Sequence, residues 1–429
     1  MKRIIFIIVF LSVIIVNSFA QKEYIEYWQN NKVSTKGFKT DKGVRVGNWT
    51  WFYKDGTKEQ EGTYDEKGKK INTWIYYYEN GNIKKEECYS ANGFNRAYYN
   101  NKQLYFAVEI KDFKRVGSYT EYHRNGELKM SGTYVDDELE HNAVWFYENG
   151  NKEMEGSFMK GKRTGLWKYY YRESGSLGSE GEYLNDKENG HWTYYYEASN
   201  QNQASEKRRE GNYENGNREG EWITYYENGK ILHKGSYKLG LEEGVWESWY
   251  VSGNKKDKGS FSEGKMSGIW TLWYEDGTPK TETSYKEGLK DGQEKLYNEQ
   301  GQLILSAEYK QGKLDGKYEK YSERNVLLES SNYKQGKKDG KCTFYFLQGA
   351  KLREQSFADG KPNGAWTEYY ENGNKASQGQ YSRGRQEGTW TNYDQYGNKT
   401  SEIKYKQGKK LSQEVFKREN PKKSKSKTF

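Results

Sequence analysis

Four histidines are the residues of this sequence best suited to metal binding or to proton transfer near neutral pH. They are His123, His141, His191 and His233. No two of them have the spacing of metal ligands, and each occupies a different place in the local sequence pattern. We therefore interpret them as surface residues of strands or loops.

The other residues capable of chemistry form no recognisable constellation either. Cys88 and Cys342 are distant in sequence and lie in no CxxC motif, so we expect neither a disulfide nor a metal or redox site. The sequence has no GxxxxGK[ST] phosphate loop, GxSxG elbow, HExxH motif or calcium loop. Acidic pairs such as Glu242 and Glu243 are typical of a solvated face. The sequence predicts a protein that is not an enzyme and that has no cofactor or metal.

The composition indicates an ordered, strand-rich protein with little aliphatic core. Only 33% of the 429 residues are hydrophobic and 31% are charged, a balance that by itself favours disorder. However, 17% of the chain is aromatic, and aromatic rings bury a large area when they pack. The 47 glycines also predict frequent turns.

The two ends of the chain differ from the part between them. Residues 1–20 combine a basic start, an apolar run and small residues before Gln21, which is the pattern of a cleaved signal peptide. Residues 417–429 carry six basic residues and one acidic residue, and we expect a disordered tail. Without both ends the formal charge of +9 falls to +2, so we assign the basic bias to the tail. We expect an exported protein with no transmembrane span after signal removal.

Residues 21–416 repeat a unit of about 24 residues. The segment GEWITYYENGKILHKGSYKLGLEEG, residues 220–244, returns at this period through the rest of the array, and upstream copies have spacings of 22 to 30 residues. We count about fifteen units. The positions expected to be structural are Trp222, Gly235, Tyr237, Trp246, Gly259, Trp270, Trp366, Gly379 and Trp390.

Each unit is predicted to be a β-hairpin. Aromatic and β-branched residues precede Asn228-Gly229, and Asn-Gly between two such runs is a strong hairpin signal. With these two residues at the centre of the turn, Trp222 faces Gly235 on the next strand. Residues 240–244 would form the loop to the next hairpin. The fold class is therefore all-β, an elongated single antiparallel sheet of about fifteen tandem hairpins.

The same register suggests why the unit contains glycine within a strand. A ring can lie flat over a glycine of the neighbouring strand, because glycine has no side chain to block it. We expect Trp222 to cover Gly235 and Trp246 to cover Gly259 in this way.

A second aromatic column points to the opposite face of the sheet, because strand side chains alternate. We call this column the candidate binding face. Its members are Tyr225, Trp249, Trp273, Tyr297, Tyr321, Tyr345, Tyr369 and Tyr393.

The pattern GxWxxYYxNGxxxxxGxY, followed by xxGxxxG, resembles the MORN repeat, and more closely its bacterial variant with YYENG at the hairpin tip. The resemblance covers nearly all of residues 21–416 and implies a sheet-like array of hairpins. It also implies a scaffold for proteins, and in some members for phospholipid. Some bacterial members are labelled antitoxins, which does not fit an exported chain.

We therefore expect a non-enzymatic, exported scaffold in the periplasm, on the outer surface or outside the cell. Its partner would be a protein of unknown identity that binds the candidate binding face. The alternative is a module that binds cell-wall carbohydrate or an anionic envelope surface such as phospholipid, and a nucleic-acid partner is not expected. Exposure of the candidate binding face separates the two, since glycan stacking requires open rings.

Overall fold

The computed structural model describes residues 21–416, and the described part is built from β-strands and turns, without a helix. The signal peptide and the basic tail predicted at residues 1–20 and 417–429 lie outside the described residues. The strands are antiparallel and belong to one sheet of tandem hairpins, which confirms the predicted fold class. Elongation, the other part of that expectation, stays a prediction.

The chain divides into two units near residue 190, one up to Gly190 together with Tyr195–Ser205 and the other comprising His191–Tyr194 and the chain from Glu206 onward. The strands of the first unit are β1 Lys22–Tyr27, β2 Val33–Lys39, β3 Arg45–Phe52, β4 Lys58–Tyr64, β5 Lys70–Tyr77, β6 Ile83–Cys88, β7 Asn92–Tyr98, β8 Leu104–Lys111, β9 Lys114–Tyr122, β10 Leu128–Val135, β11 Glu138–Phe146, β12 Lys152–Met159, β13 Lys162–Tyr170 and β14 Leu177–Leu184. Strand β15, Lys187–Tyr195, is divided between the units.

The second unit contains the most regular repeats. Its strands are β16 Lys207–Glu214, β17 Asn217–Tyr225, β18 Ile231–Lys238, β19 Leu241–Trp249, β20 Lys255–Ser262, β21 Lys265–Trp273, β22 Pro279–Lys286, β23 Leu289–Tyr297, β24 Leu303–Lys310, β25 Lys313–Tyr321, β26 Leu327–Lys334, β27 Lys337–Lys338, β28 Gly340–Tyr345, β29 Lys351–Ala358, β30 Lys361–Tyr369, β31 Lys375–Ser382, β32 Arg385–Tyr393, β33 Lys399–Lys406 and β34 Lys409–Val415. Since β27 and β28 are two pieces of one strand, the described array has sixteen hairpins and a final single strand, compared with about fifteen predicted.

The hairpin tip contains one more residue than predicted. The Tyr226 N–H donates to the Lys230 carbonyl at 2.8 Å, and the Gly229 N–H donates to the Tyr226 carbonyl at 2.9 Å. The loop is therefore three residues long and ends on Gly229 at φ 78°, a bulged turn rather than the predicted two-residue turn. A register shift after Thr224 absorbs the extra residue, so Trp222 still pairs with Gly235 as predicted.

The two-residue turn is found at the other end of the hairpin. Lys238 pairs with Leu241, which leaves Leu239 and Gly240 as the two turn residues, with φ values of 52° and 83°. Both angles are left-handed, as a type I′ turn requires. The loop predicted over 240–244 is therefore wrong: strand β19 already begins at Leu241, and the second glycine, Gly244, lies inside that strand at φ 71°.

The tryptophan ring covers a glycine, but on the opposite neighbouring strand from the one predicted. A Cβ at Gly235 would lie 2.1 Å from Cδ2 of Trp246, and a Cβ at Gly259 would lie 2.0 Å from Cδ2 of Trp270. Each ring thus leans onto the preceding strand, whereas the predicted coverage of Gly235 by Trp222 and of Gly259 by Trp246 is wrong.

A β-bulge explains this direction. Between β18 and β19 the pairing slips at Gly235, so that Lys234 pairs with Glu247 while Ser236 pairs with Glu243. The indole Nε1 of Trp246 then donates to the Ser236 carbonyl at 3.3 Å. Bulges disrupt the backbone ladder locally, and the indole hydrogen bond fixes the ring over the glycine beside the bulge.

Candidate functional site

The tryptophan face of the sheet is filled by an edge-to-face ladder of rings. In the second unit Tyr237 packs against Trp222 and Trp246 with ring centroids 6.2 and 5.2 Å apart, and Phe261 bridges Trp246 and Trp270 in the same way. This geometry suits the quadrupoles of aromatic rings. Because the rings pack on one another, this face is the core of the array.

In two units of the second half of the chain, loss of the tryptophan is accompanied by loss of the glycine beneath it. The glycine position is Thr283 where the tryptophan position is Glu294, and it is Ser331 where the tryptophan position is Cys342. Glu294 is buried against Thr283 and forms an ion pair with Lys290. Both replacement residues are buried, and Glu294 has polar partners.

Trp390 has a glycine beneath its ring, whereas Trp366 does not. Trp390 is buried over Gly379 and donates to the Gln380 carbonyl at 3.2 Å. Trp366 instead faces Gln355, which occupies the glycine position, and Trp366 is only half-buried. Burial alone does not separate the two cases, because Trp246 is also half-buried although it lies over Gly235.

Every member of the candidate binding face is half-buried; none is fully exposed. The face therefore presents ring edges between other side chains rather than an open row of rings. Trp249 and Trp273 stand in two successive units and have no hydroxyl group, so they are the most apolar members of the column.

Many tyrosines of this face are tied to a carboxylate that sequence reasoning missed. The Tyr225 hydroxyl donates to Oε1 of Glu210 at 2.5 Å, and Lys207 forms an ion pair with the same carboxylate at 2.8 Å. Tyr369 and Glu354 repeat this contact at 2.9 Å. The signal in the sequence was a Lys-x-x-Glu pattern after the hairpin tip, which recurs at the repeat spacing. A bulge between the two residues, as at Leu352 between Lys351 and Glu354, brings both side chains to one face of the strand.

Electrostatics at these sites favour a charged carboxylate beside a neutral phenol. Burial and then the hydrogen bond to Glu210 raise the pKa of Tyr225. Burial acts to raise the pKa of Glu210, but the hydrogen bonds from Lys207 and Tyr225 outweigh it and lower that pKa. At neutral pH the tyrosine is a hydrogen-bond donor, and its role is structural.

Two exposed apolar side chains lie on the same face as Trp249 and Trp273, four residues before them in the same strands. Val245 and Ile269 occupy the position before the tryptophan of the core, point to the candidate binding face and are 53% and 66% exposed. In the first unit, Leu166 is exposed at the equivalent position, beside a shallow depression of about 370 Å³ that Glu155 also lines.

The histidines and cysteines occupy unrelated environments. His123 contacts the Phe146 carbonyl at 2.8 Å, and burial lowers the pKa of His233. Cys88 is half-buried and Cys342 is fully buried, both as free thiols. Over residues 21–416, no three metal-ligating side chains cluster in a way that could hold an ion.

Within the same range, no helix has the length and apolarity needed to cross a membrane.

Comparison with known proteins gives one family and no curated relative. A family profile described as "MORN repeat variant" matches seven segments, namely residues 45–66, 71–91, 115–136, 218–239, 266–287, 290–311 and 362–383. No curated protein matches the chain.

Solved structures give only distant similarity. A crystal structure of TcdB2-TccC3-Cdc42 is 10% identical, with 91% of this chain and 26% of that chain covered at a TM-score of 0.16. A crystal structure of TcdB2-TccC3-TEV is 11% identical, with 90% and 25% covered at a TM-score of 0.15. This chain thus spans about a quarter of these larger chains. The seven matched repeats and the hairpin geometry make this chain a MORN-repeat protein.

Proposed function

We propose that this protein is a non-enzymatic, exported scaffold that binds another protein through its candidate binding face. The observation that carries the proposal is that the exposed apolar side chains Val245 and Ile269 share one face of the sheet with Trp249 and Trp273. Aromatic side chains within an apolar surface are typical anchors of protein–protein interfaces. The aromatic column itself continues through eight successive units, so we expect binding energy to accumulate along the array.

The partial burial of the rings favours a protein partner over a carbohydrate. A sugar stacks on an open ring face, whereas the rings of this column are half-buried. Tyr225 and Tyr369 also direct their hydroxyls to carboxylates of the same sheet. An irregular protein surface can pack against such a mixture of half-buried rings, aliphatic side chains and ion pairs.

Export is the part of the proposal that depends on the sequence pattern of residues 1–20. The expected mature N-terminus is Gln21. N-terminal sequencing of protein recovered from the envelope or medium of the source cell tests it. Recovery of a chain that retains Met1 would contradict a cleaved signal peptide.

The binding face is tested by capture with three baits of residues 21–429. The first is the wild type, the second is Val245→Asp with Ile269→Asp, and the third is Leu239→Asp with Leu289→Asp. The leucines are a matched control, because they are 73% and 52% exposed but lie at the two-residue turns. Both variants add the same charge, and circular dichroism verifies that both fold.

We expect one protein from the envelope fraction to bind the wild type and the control equally, and to bind the face variant at least tenfold more weakly. Equal retention by all three baits would refute the assigned face. Recovery of polysaccharide instead of protein would support the carbohydrate alternative.

The distributed character of the site is tested by deleting whole repeats. Removal of residues 268–291 keeps the alternation of strands, so the remaining hairpins can still pair. We expect affinity for the captured partner to fall in steps as one, two and three repeats are removed. A single deletion that abolishes binding, with all others silent, would instead show a local site.

A further inference from the structure

Basic side chains line the edge of the second unit at which the two-residue turns lie. The residue directly after the turn glycine is basic in five consecutive repeats, and all five side chains are exposed. We call this row the basic edge, and its members are Lys313, Lys337, Lys361, Arg385 and Lys409. The five turn segments, residues 310–316, 334–340, 358–364, 382–388 and 406–410, contain eleven basic and four acidic residues.

Two of those acidic residues are engaged by the backbone of the next turn. Asp315 accepts a hydrogen bond from the Gln335 N–H at 3.0 Å, and Glu387 accepts one from the Gln407 N–H at 2.7 Å. Both donors belong to left-handed turn residues, with φ values of 50° and 52°. These carboxylates therefore support the turns from within the fold and do not form ion pairs with the basic edge.

Most of the row is left without a counter-charge from the protein. Lys337 pairs with Asp359 at 2.6 Å, between two exposed side chains. Over residues 21–416, none of the other four members of the basic edge makes an ion pair. The body of the chain has a net charge of only +2, but it contains this segregated row of positive charges. The assignment of the basic bias to the tail alone is therefore corrected.

The spacing of the row suits a linear partner. Successive members are one repeat apart, which is two strands or about 10 Å, so the five cations span about 40 Å. Shallow grooves lie between successive turns, and the one next to Lys313 is lined by Lys310 and Gln311 together with Glu287, Leu289 and Asp291 of the preceding turn. A flexible chain with regularly spaced anionic groups could contact several cations at once.

The side chains between the cations distinguish this edge from other anion-binding surfaces. In the first four turn segments no aromatic or large aliphatic side chain is exposed, whereas Leu411, directly after the fifth segment, is exposed. Single-stranded nucleic acid is held by stacking on aromatic rings, and membrane-surface segments insert apolar side chains. Neither contribution is available from the first four segments, since the exposed leucines, Leu289 and Leu411, lie at the two ends of the row.

We propose that the basic edge binds a flexible phosphodiester polymer without bases, of the poly(glycerol phosphate) type. Exposed ammonium and guanidinium groups bind phosphodiester oxygens directly and release the counterions of the polymer. The site is separate from the candidate binding face, so its failure and the failure of the protein-binding proposal are distinguishable.

The experiment compares three forms of residues 21–429 with fluorescent poly(glycerol phosphate) as the probe. The edge variant replaces all five members of the basic edge by glutamine. The control variant replaces five exposed lysines near the hairpin tips by glutamine, namely Lys54, Lys84, Lys230, Lys256 and Lys280. Both variants keep the basic tail and have the same net charge, so a difference between them reports the position of the charges.

We expect the edge variant to bind at least tenfold more weakly at low salt, and the control variant to change less than threefold. The slope of log K against log salt should fall by about 3 to 4 in the edge variant, since each contact with a single-stranded polyanion contributes about 0.7. Equal weakening of both variants would refute the site, as binding would then follow net charge alone.

Two further probes separate related ligands. Poly-dT has the same phosphodiester chemistry with bases, and vesicles of phosphatidylglycerol present the same headgroup on a membrane. Tighter binding of poly-dT would overturn the proposal in favour of a nucleic acid. Binding to vesicles without binding to the free polymer would overturn it in favour of a membrane surface. Preference for the polymer over both supports it.

Discussion

We expect Gly235→Ala to displace the Trp246 ring and to destabilise its hairpin by about 2–3 kcal/mol. The added Cβ would lie 2.1 and 2.2 Å from two ring atoms of Trp246, and a rigid indole cannot yield by bending. The ring must leave the strand surface, although alanine by itself favours a strand over glycine by about 0.5–1 kcal/mol.

The size of the loss follows from what the ring gives up. Trp246 packs edge-to-face on Tyr237 and Phe261 with centroids 5.2 and 5.8 Å away, and such pairs contribute about 0.5–1.5 kcal/mol each. Its indole N–H donates to the Ser236 carbonyl, a contact worth about 0.5–1.5 kcal/mol. Subtracting the gain from strand propensity leaves the expected 2–3 kcal/mol.

Native-state hydrogen exchange on peptides covering residues 231–249 measures the free energy of local unfolding of this hairpin. A local measurement is needed because a repeat array need not unfold in one step. The decisive form is a double-mutant cycle. On a Trp246→Ala background, Gly235→Ala should stabilise by about 0.5–1 kcal/mol, so we expect a coupling energy of about 3 kcal/mol.

Gly259 provides the control, because it pairs with Trp246 along the backbone yet lies beneath Trp270. Gly259→Ala should therefore couple strongly to Trp270→Ala and only weakly to Trp246→Ala. The reverse result, with Gly259 coupled to Trp246 and Gly235 uncoupled, would refute the direction in which the rings lean.

Three other outcomes are expected. Leu239→Asn should stabilise the chain by about 1 kcal/mol, since asparagine tolerates φ 52° better than leucine; a lower urea midpoint would contradict this. Cys342→Trp should destabilise alone, because the Ser331 side chain occupies the place of the usual glycine, whereas addition of Ser331→Gly should recover the loss in thermal unfolding. Hydrogen bonds from Lys351 and Lys341 lower the pKa of Glu354 to about 2, so its contribution is complete above about pH 4.5 and is lost as pH falls toward 2. Glu354→Gln should flatten that part of the curve of stability against pH, and an unchanged curve would show that the contact contributes nothing.

Local sequence signals were sufficient for the fold class and for the register within a hairpin. The 24-residue period predicts tandem hairpins, and the positions of Trp222 and Gly235 predict their pairing, which the structure confirms. That pairing is robust because a one-residue slip would move every side chain to the other face. The predicted pairing is correct even though the predicted turn type is wrong, because the bulge after Thr224 compensates for the longer tip.

The direction of the rings required the tertiary structure, because it depends on the neighbouring hairpin. Trp246 has a glycine on both flanking strands, Gly235 and Gly259, and a single repeat does not distinguish them. The bulge between β18 and β19 decides in favour of Gly235. The sequence contains one clue to this direction. Where serine replaces the glycine at Ser331, cysteine replaces the tryptophan 11 residues later at Cys342, but recognising this requires comparison of several units.

Charge placement likewise depended on the structure. Composition reports a sum, and the sum for the body of the chain is close to neutral. Only the turn geometry directs Asp315 and Glu387 onto backbone N–H groups while Lys361 and Arg385 remain exposed on the same edge. The sequence by itself determined which residues repeat. The tertiary structure decided which of their charges and rings have partners within the sheet, because those partners belong to neighbouring hairpins.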